Sequence, residues 1–334
     1  MSKTSSLSRN ISIDAVKGIA SIGVVIIHAS GYMEDTNLHV WLKAICRFAV
    51  PVFVFFFVYF LELTFNRKND IFKITLQKLT LLGIPFIFWT ALYILIAFFH
   101  SKSTEKIPIV MHLLNWQVWT YQGWAGQYFF VVLFQSILLL AVLRQLSSVF
   151  WVVIAVISLI FNSAIIYWHP ISTLQKFGYL TPNVWLPYLC MGLLFAQHLP
   201  KLPIMPFWLR LLTFLSPNLI AVELLYTVGT DESIVYLFPS IFISSTLIVL
   251  TASSYGEGRF TRLLSRVGQS SMAVFCMNPL LIPILKRFIP VDANTLLGVF
   301  VLSILVTISA IFIEFYLIKV KYIAPIFGRS YQFN

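Results

Sequence analysis

Charged residues are scarce in this sequence of 334 residues. Asp, Glu, Lys and Arg make up 10% of the chain, whereas a soluble domain carries about 25%. Hydrophobic residues make up 59%, and the mean hydropathy is +0.88. So few charges cannot cover the surface of a water-soluble fold, and the same composition excludes a disordered chain and a coiled coil. The sequence therefore predicts a polytopic membrane protein.

Cysteine is also rare, and the common metal-binding motifs are missing. The three cysteines, Cys46, Cys190 and Cys276, lie in apolar stretches and form no CxxC pair. This pattern excludes a disulfide framework and indicates small packing residues. There is no HExxH motif, and the six histidines are dispersed along the chain. We therefore expect no metal site and no permanently bound cofactor.

Long apolar segments occupy most of the chain. A helix needs about 20 apolar residues to cross a bilayer. About ten such segments follow one another, at roughly 11–31, 43–65, 76–99, 124–143, 149–168, 184–198, 205–228, 234–253, 269–289 and 295–318. They are continuous rather than alternating, which argues against transmembrane strands. The first segment is too long for a signal peptide and lacks a cleavage site, so we expect it to remain as the first span.

The predicted fold is all-α, a polytopic bundle of about ten transmembrane helices. The longest segment between spans, from His100 to Gly123, is too short for a further domain, so we expect no soluble domain. Residues 1–334 are predicted to form a single membrane-embedded domain.

The basic residues are distributed unevenly between the two sides of this bundle. The formal net charge is +11. With ten spans both termini share one side, and the loops of that side hold about twice as many Lys and Arg as the others. The positive-inside rule therefore predicts that both termini are cytoplasmic. Topology accounts for most of the excess charge, and we expect no nucleic-acid partner.

Three ionisable residues, Asp14, Lys17 and His28, interrupt the first apolar segment. Each such group costs about 2.5–3.5 kcal/mol within a membrane, so each is a candidate functional residue. At about 100° per residue they share one helical stripe with Ser21, and Lys17 and His28 are about 16 Å apart along the axis. The stripe predicts a polar cavity in which His28 acts as a base. An interfacial Asp14–Lys17 ion pair and a structural histidine are the competing interpretations.

Further charged residues lie at the ends of later spans or within them. Arg47 lies near the outer start of the second span. We expect three carboxylates to make buried polar or ionic contacts: Glu62, Glu223 and Glu314. Before the ninth span, three arginines follow one another at helical spacing: Arg259, Arg262 and Arg266. Such a cluster is suited to phosphates and equally to anionic lipid.

The pattern in the first span resembles the opening motif of the acyltransferase family 3 membrane proteins. In that motif an Asp precedes a basic residue, then Gly and small apolar residues, and a His follows eleven positions after the basic residue. Asp14, Lys17, Gly18 and His28 occupy these positions. Weaker similarities run through most of the chain, at Arg47 with residues 49–53, at Lys78 with Ile84, Pro85 and Trp89, at residues 186–192, and at residues 268–271 with Val274 and Phe275.

The resemblance implies a stand-alone enzyme of a bacterial inner membrane. Members of the family move acyl groups, often acetyl, from cytoplasmic acyl-CoA to hydroxyls of cell-surface glycans or their lipid-linked precursors. By resemblance His28 is the catalytic base, and Asp14 and Lys17 belong to the catalytic site. The donor acyl-CoA is expected to bind Lys17, Arg259, Arg262 and Arg266, and the acceptor to bind Arg47, Tyr128 and Asn278. We expect acyl-CoA, the glycan and membrane lipid as partners.

This sequence departs from the family pattern at four places. Lys17 stands where an Arg is usual, and Lys lacks the bidentate fork. Residues 56–58 replace a Ser-Gly pair, and residues 126–129 replace His-Leu-Trp-Phe. The late motif ends in Asn278-Pro279 where the family has His-Pro or His-Ala, and Asn cannot act as a base. These departures leave an alternative open, a polysaccharide or lipid exporter or an inactive relative that acts as a scaffold.

Overall fold

The computed structural model of the protein describes residues 10–33, 36–67, 70–100, 119, 124, 126–167, 180–198, 205–227, 236–253, 256, 258–289, 292, 294–320 and 323–329. All regular secondary structure within these ranges is helical, which confirms the all-α prediction. Both termini and most of the segment from His100 to Gly123 lie outside the described residues.

The helices follow one another with short connections wherever the chain is described. They are α1 (Ile11–Ala29), α2 (Thr36–Ile45), α3 (Ala49–Arg67), α4 (Ile71–His100), α5 (Gln127–Leu143), α6 (Ser148–Tyr167), α7 (Pro182–His198), α8 (Phe207–Leu215), α9 (Pro217–Tyr226), α10 (Pro239–Leu250), α11 (Arg259–Gln269), α12 (Ser271–Lys286) and α13 (Leu296–Leu317). Short 3-10 helices follow α1, α10 and α13. Each of the ten predicted apolar segments overlaps at least one of these helices.

The spans are less regular than the apolar segments suggest. In the described chain, 6 helical spans are long and apolar enough to cross a membrane, or 7 if α11 and α12, which meet at 70°, form one span. Helices α5 and α10 are apolar but shorter. The segments around residues 45–49 and 216 are each interrupted by a break between two helices. The helical membrane fold is therefore confirmed, and the count of ten spans stays a prediction.

Helix α1, which carries the polar stripe, lies at the centre of the bundle. It packs against α3, α11, α12 and α13. Its start is fixed by Asn10, whose side-chain oxygen accepts hydrogen bonds from the amides of Ser12 and Ile13 at 3.0 and 3.1 Å. Such a cap satisfies amides that have no partner within the helix. Because α1 packs against these four helices, its stripe faces other helices.

The crossing of α1 and α11 requires glycine on both helices. A Cβ added at Gly18 would overlap the carbonyl oxygen of Leu264, and one added at Gly268 would overlap that of Asp14. Neither obstacle is a flexible side chain, because both are backbone atoms. This close approach attaches the basic helix α11 to the half of α1 that holds Lys17.

We expect Gly268→Ala to destabilise the protein by about 1–3 kcal/mol or more, because the two backbones must separate to admit a methyl group. Thermal unfolding in detergent measures this effect. Gly83→Ala is the matched control, because no atom lies within 4 Å of a Cβ added there in α4. Equal melting temperatures for the two variants would contradict the close crossing.

The three carboxylates within spans all make polar or ionic contacts; Glu62 and Glu314 are buried, as the sequence predicts, whereas Glu223 is only half-buried. The contacts are Glu62 with Arg144 at 3.2 Å, Glu314 with Arg329 at 2.7 Å, and Glu223 with the Tyr167 hydroxyl and, at 3.1 Å, the Ser240 amide. Each of these pairs joins different parts of the bundle. We therefore assign these carboxylates to the packing of the helices.

Candidate functional site

Two cavities share one lining residue, Phe275, in the second turn of α12. The His28 cavity has a volume of about 320 Å³ and is lined by Val24, Ile27, His28, Gly31, Lys43, Arg47, Val50, Tyr128, Tyr236 and Phe275. The Lys17 cavity has a volume of about 190 Å³ and is lined by Lys17, Phe53, Phe56, Phe57, Phe60, Leu61, Lys78, Phe129, Leu133, Ser271, Met272 and Phe275. The stripe of α1 thus contributes to both cavities, at positions about three turns apart.

The His28 cavity gathers a base, two cations and two phenols from distant parts of the chain. His28 is half-buried in the last turn of α1. Arg47 lies in the turn between α2 and α3, and its guanidinium carbon is 5.8 Å from the centre of the Tyr236 ring. The hydroxyls of Tyr128 and Tyr236 are 2.9 Å apart. No carboxylate is among the described residues that line this cavity, so its lining is cationic and aromatic.

Tyr236 is a member of this site that the sequence analysis missed. Its backbone carbonyl accepts a hydrogen bond from the Tyr188 hydroxyl at 3.2 Å, and its ring lies 5.3 Å from that of Trp185. Only 3% of the residue is exposed. Neighbouring helices therefore fix its ring beneath Arg47. No motif marks Tyr236 in the sequence, because its role depends on packing against α5 and α7.

The Lys17 cavity combines two cations with an apolar, largely aromatic wall. Lys17 Nζ lies 3.2 Å from a carboxylate oxygen of Asp14, so the ion pair of the competing interpretation is present. Asp14 is buried, whereas Lys17 is half-buried and lines the cavity. The Ser21 hydroxyl donates to the Lys17 carbonyl at 2.9 Å within the same helix. The second cation, Lys78 of α4, was not among the predicted site residues.

The three arginines of α11 lie outside both cavities. Arg259, Arg262 and Arg266 are exposed, and none is among the residues that line the two cavities. Two large apolar side chains of the same helix are exposed beside them, Phe260 at 71% and Leu263 at 58%. Basic residues interleaved with exposed apolar ones are typical of a helix at a membrane surface. This arrangement favours the lipid interpretation of the cluster.

Asn278, the residue at the family's late histidine position, serves the backbone of α12. It is 1% exposed, and its amide nitrogen donates to the carbonyls of Phe275 at 2.8 Å and Val274 at 3.1 Å. The proline that follows, Pro279, has no N–H to donate to the Phe275 carbonyl. The Asn278 amide replaces that missing donor. Asn278 is not among the residues that line either cavity.

Cysteine and metal chemistry receive no further support. Cys46, Cys190 and Cys276 are buried without disulfides, as expected of packing residues. In the part of the chain that the structure describes, no three His, Cys, Asp or Glu side chains are grouped so that they could hold a metal ion.

Comparison with known protein families gives one match. Residues 10–316, which include all the helices that line the two cavities, match the family model described as an acyltransferase domain. Comparisons with curated proteins and with solved structures found no match.

Proposed function

This chain belongs to acyltransferase family 3 of multi-pass membrane proteins, and from this membership we propose that it is an O-acyltransferase. The proposed donor is cytoplasmic acyl-CoA, with acetyl as the expected acyl group. The proposed acceptor is a hydroxyl of a cell-surface polysaccharide or of its lipid-linked precursor. The proposed location is a bacterial inner membrane, with both termini in the cytoplasm.

The observation that carries this proposal is the pair of cavities on the two sides of Phe275. A polyanionic donor and a sugar acceptor from opposite sides of a membrane require separate binding sites that meet at one base. The Lys17 cavity offers two ammonium groups and an apolar wall, which suits a charged molecule with an apolar arm. The His28 cavity offers the imidazole, which is the side chain best suited to proton transfer near neutral pH.

In the proposed reaction the acceptor hydroxyl oxygen attacks the thioester carbonyl carbon of the donor. His28 takes the hydroxyl proton as the C–O bond forms. The C–S bond then breaks, and the proton passes from the imidazolium to the departing thiolate of CoA. Arg47 lines the same cavity as His28, and its guanidinium is suited to stabilise the negative charge on the carbonyl oxygen. No oxidant or reductant is needed.

The proposed acceptor site is the cationic and aromatic part of the His28 cavity. Tyr128 and Tyr236 present ring faces and hydroxyls there, together with the charges of Lys43 and Arg47. Aromatic faces suit the apolar side of a sugar ring, and hydroxyl and charged donors suit its polar groups. The cationic lining favours an acceptor that carries an anionic group.

The decisive experiment follows the release of CoA from acetyl-CoA by purified protein, with and without candidate glycans. The proposal expects CoA release that depends on the acceptor and acetyl ester on the recovered glycan. Absence of transfer with every candidate, together with movement of a glycan across proteoliposomes, would instead support the exporter alternative.

Measurements of donor binding distinguish the role of the cations in the Lys17 cavity from that of the three arginines of α11. We expect Lys78→Gln to weaken acetyl-CoA binding, and the remaining binding to weaken as salt screens the charges. Gln replacement of Arg259, Arg262 and Arg266 together tests whether the α11 cluster meets donor phosphates or lipid headgroups. Unchanged donor affinity in this triple variant would assign the cluster to lipid. Isothermal titration at two ionic strengths measures both effects.

A further inference from the structure

The side chain of Phe275 occupies a position that no other described residue shares. Among the residues that the structure describes, it alone lines both the Lys17 cavity and the His28 cavity. The residue is 5% exposed. Phe275 therefore belongs to the boundary of both cavities.

We infer that the Phe275 ring is a movable partition that separates the two cavities at rest and opens to admit the thioester arm of the donor to His28. This inference rests on the proposed function for the identity of the arm. The separation of the two cavities by this ring does not depend on the proposed function. Phe275 is thus a positioning residue, because it controls where the acyl group meets the base and takes no part in bond making.

Contacts with the start of α5 hold the ring in its closed position. The centre of the Phe275 ring lies 4.7 Å from that of Phe129 and 6.2 Å from that of Trp124. A Cβ added at Gly126 would come within 2.8 Å of the ring atom Cε1, so the ring fits against the bare backbone of this glycine. Tilted aromatic contacts of this kind are favourable beyond the area they bury.

The backbone of α12 lacks one regular helical hydrogen bond at this point. Pro279 removes one donor of the helical ladder, and the carbonyl of Phe275 is held instead by the side chain of Asn278 at 2.8 Å. A side-chain hydrogen bond can break and re-form without unwinding a helical turn. The ring therefore sits on a segment where a small change of helix geometry is inexpensive.

The reaction requires such an opening because the cations and the base lie at different depths. Lys17 and His28 are about 16 Å apart along α1. A donor whose charged end stays near Lys17 and Lys78 must extend its thioester past Phe275 to within about 3–3.5 Å of the acceptor oxygen. Between reactions the closed ring keeps water on the donor side away from the site of transfer.

Thiol labelling tests the partition without any assumption about catalysis. In a full-length background with Cys46, Cys190 and Cys276 replaced by Ala, Val24→Cys places a thiol in the His28 cavity, and Ser271→Cys places one in the Lys17 cavity. A membrane-impermeant methanethiosulfonate is applied to either side of oriented vesicles. The Ser271→Cys protein identifies the side to which the Lys17 cavity opens.

We expect the thiol of Val24→Cys to react slowly from the Lys17 side while Phe275 is present. Adding Phe275→Ala should speed this reaction by about two- to tenfold, the range that the loss of one buried ring contact corresponds to. Phe275→Leu, a milder change that keeps an apolar side chain, should give an intermediate rate. Phe53→Ala is the matched control, because that ring lines the Lys17 cavity alone.

An unchanged rate in both Phe275 variants would overturn the partition, and so would an equal increase in Phe53→Ala. A second readout is CoA release from acetyl-CoA without acceptor, which should rise in Phe275→Ala as water reaches the thioester. If the unsubstituted protein releases no CoA with any acceptor, the proposed function fails while the labelling result still decides the partition. If transfer is normal and labelling is unchanged, only the partition fails.

Discussion

Replacement of His28 by Gln is expected to lower acyl transfer by about 10²–10⁴-fold, the range that general acid–base catalysis contributes. Glutamine preserves a polar side chain with hydrogen-bonding capacity but cannot take a proton at neutral pH. The imidazole lines the same cavity as Arg47, Tyr128 and Tyr236. Its loss removes the side chain that, among the residues lining this cavity, is best suited to accept a proton near neutral pH. The measurement is the initial rate of acceptor-dependent CoA release.

Two comparisons make this result specific. His198→Gln is the matched control, since His198 is exposed at the end of α7 and lines neither cavity, and transfer should stay near normal. His28→Ala should lose at least as much activity as His28→Gln while keeping its melting temperature. Near-normal transfer by His28→Gln would mean that the base lies elsewhere, and loss of folded protein in both His28 variants would mean that the histidine is structural.

The second large effect is expected at Arg47. Three of the predicted site residues carry donors that could stabilise the oxyanion: Lys17, Arg47 and Asn278. Lys17 lines the other cavity, and the Asn278 amide nitrogen is already bonded to two carbonyls. Arg47 alone of the three lines the cavity that holds His28. We expect Arg47→Gln to lower kcat by about 10²–10³-fold, as the loss of an oxyanion donor does. Steady-state kinetics with both substrates measures this change.

Lys43→Gln is the matched control, because it removes the same charge from the same cavity. If Lys43 only attracts the acceptor, its loss raises KM and leaves kcat nearly unchanged. Arg47→Lys should recover part of the rate, since it restores the charge without the fork. Equal losses of kcat in Arg47→Gln and Lys43→Gln would show that the cavity needs net charge rather than a placed guanidinium.

The sequence predicted the class of fold correctly, and it singled out residues of α1 that line the two cavities. Continuous apolar segments predict helices because a membrane leaves backbone groups no partner except those within the helix. Asp14, Lys17 and His28 were found because an ionisable residue is conspicuous against an apolar span. Their common stripe followed from helical geometry alone, and α1 has the expected bounds to within a few residues.

The residues that the sequence analysis missed are those whose roles arise from packing. Lys43 and Tyr236 carry no motif, and Lys78 belongs only to a weak family similarity that gave it no role. All three reach the cavities because α2, α4 and the segment before α10 pack around α1 and α5. From the sequence alone, the three arginines of α11 are equally suited to phosphate and to lipid. The exposure of Phe260 and Leu263 on the same helix favours lipid. Charge at helical spacing specifies a face of a helix but not what covers it.

By itself, the sequence determined that this protein is a helical membrane protein of an acyltransferase family and that a base lies about three turns from a cation on one helix. Only the tertiary structure decided that Lys17 and His28 belong to different cavities. Helical periodicity fixes the depth and direction of a side chain on its own helix, whereas a cavity is enclosed by other helices. Here the side chain between the two cavities is Phe275 of α12, which is far from Lys17 and His28 in the sequence. Pro279 and Asn278 determine the backbone geometry of α12 at that residue.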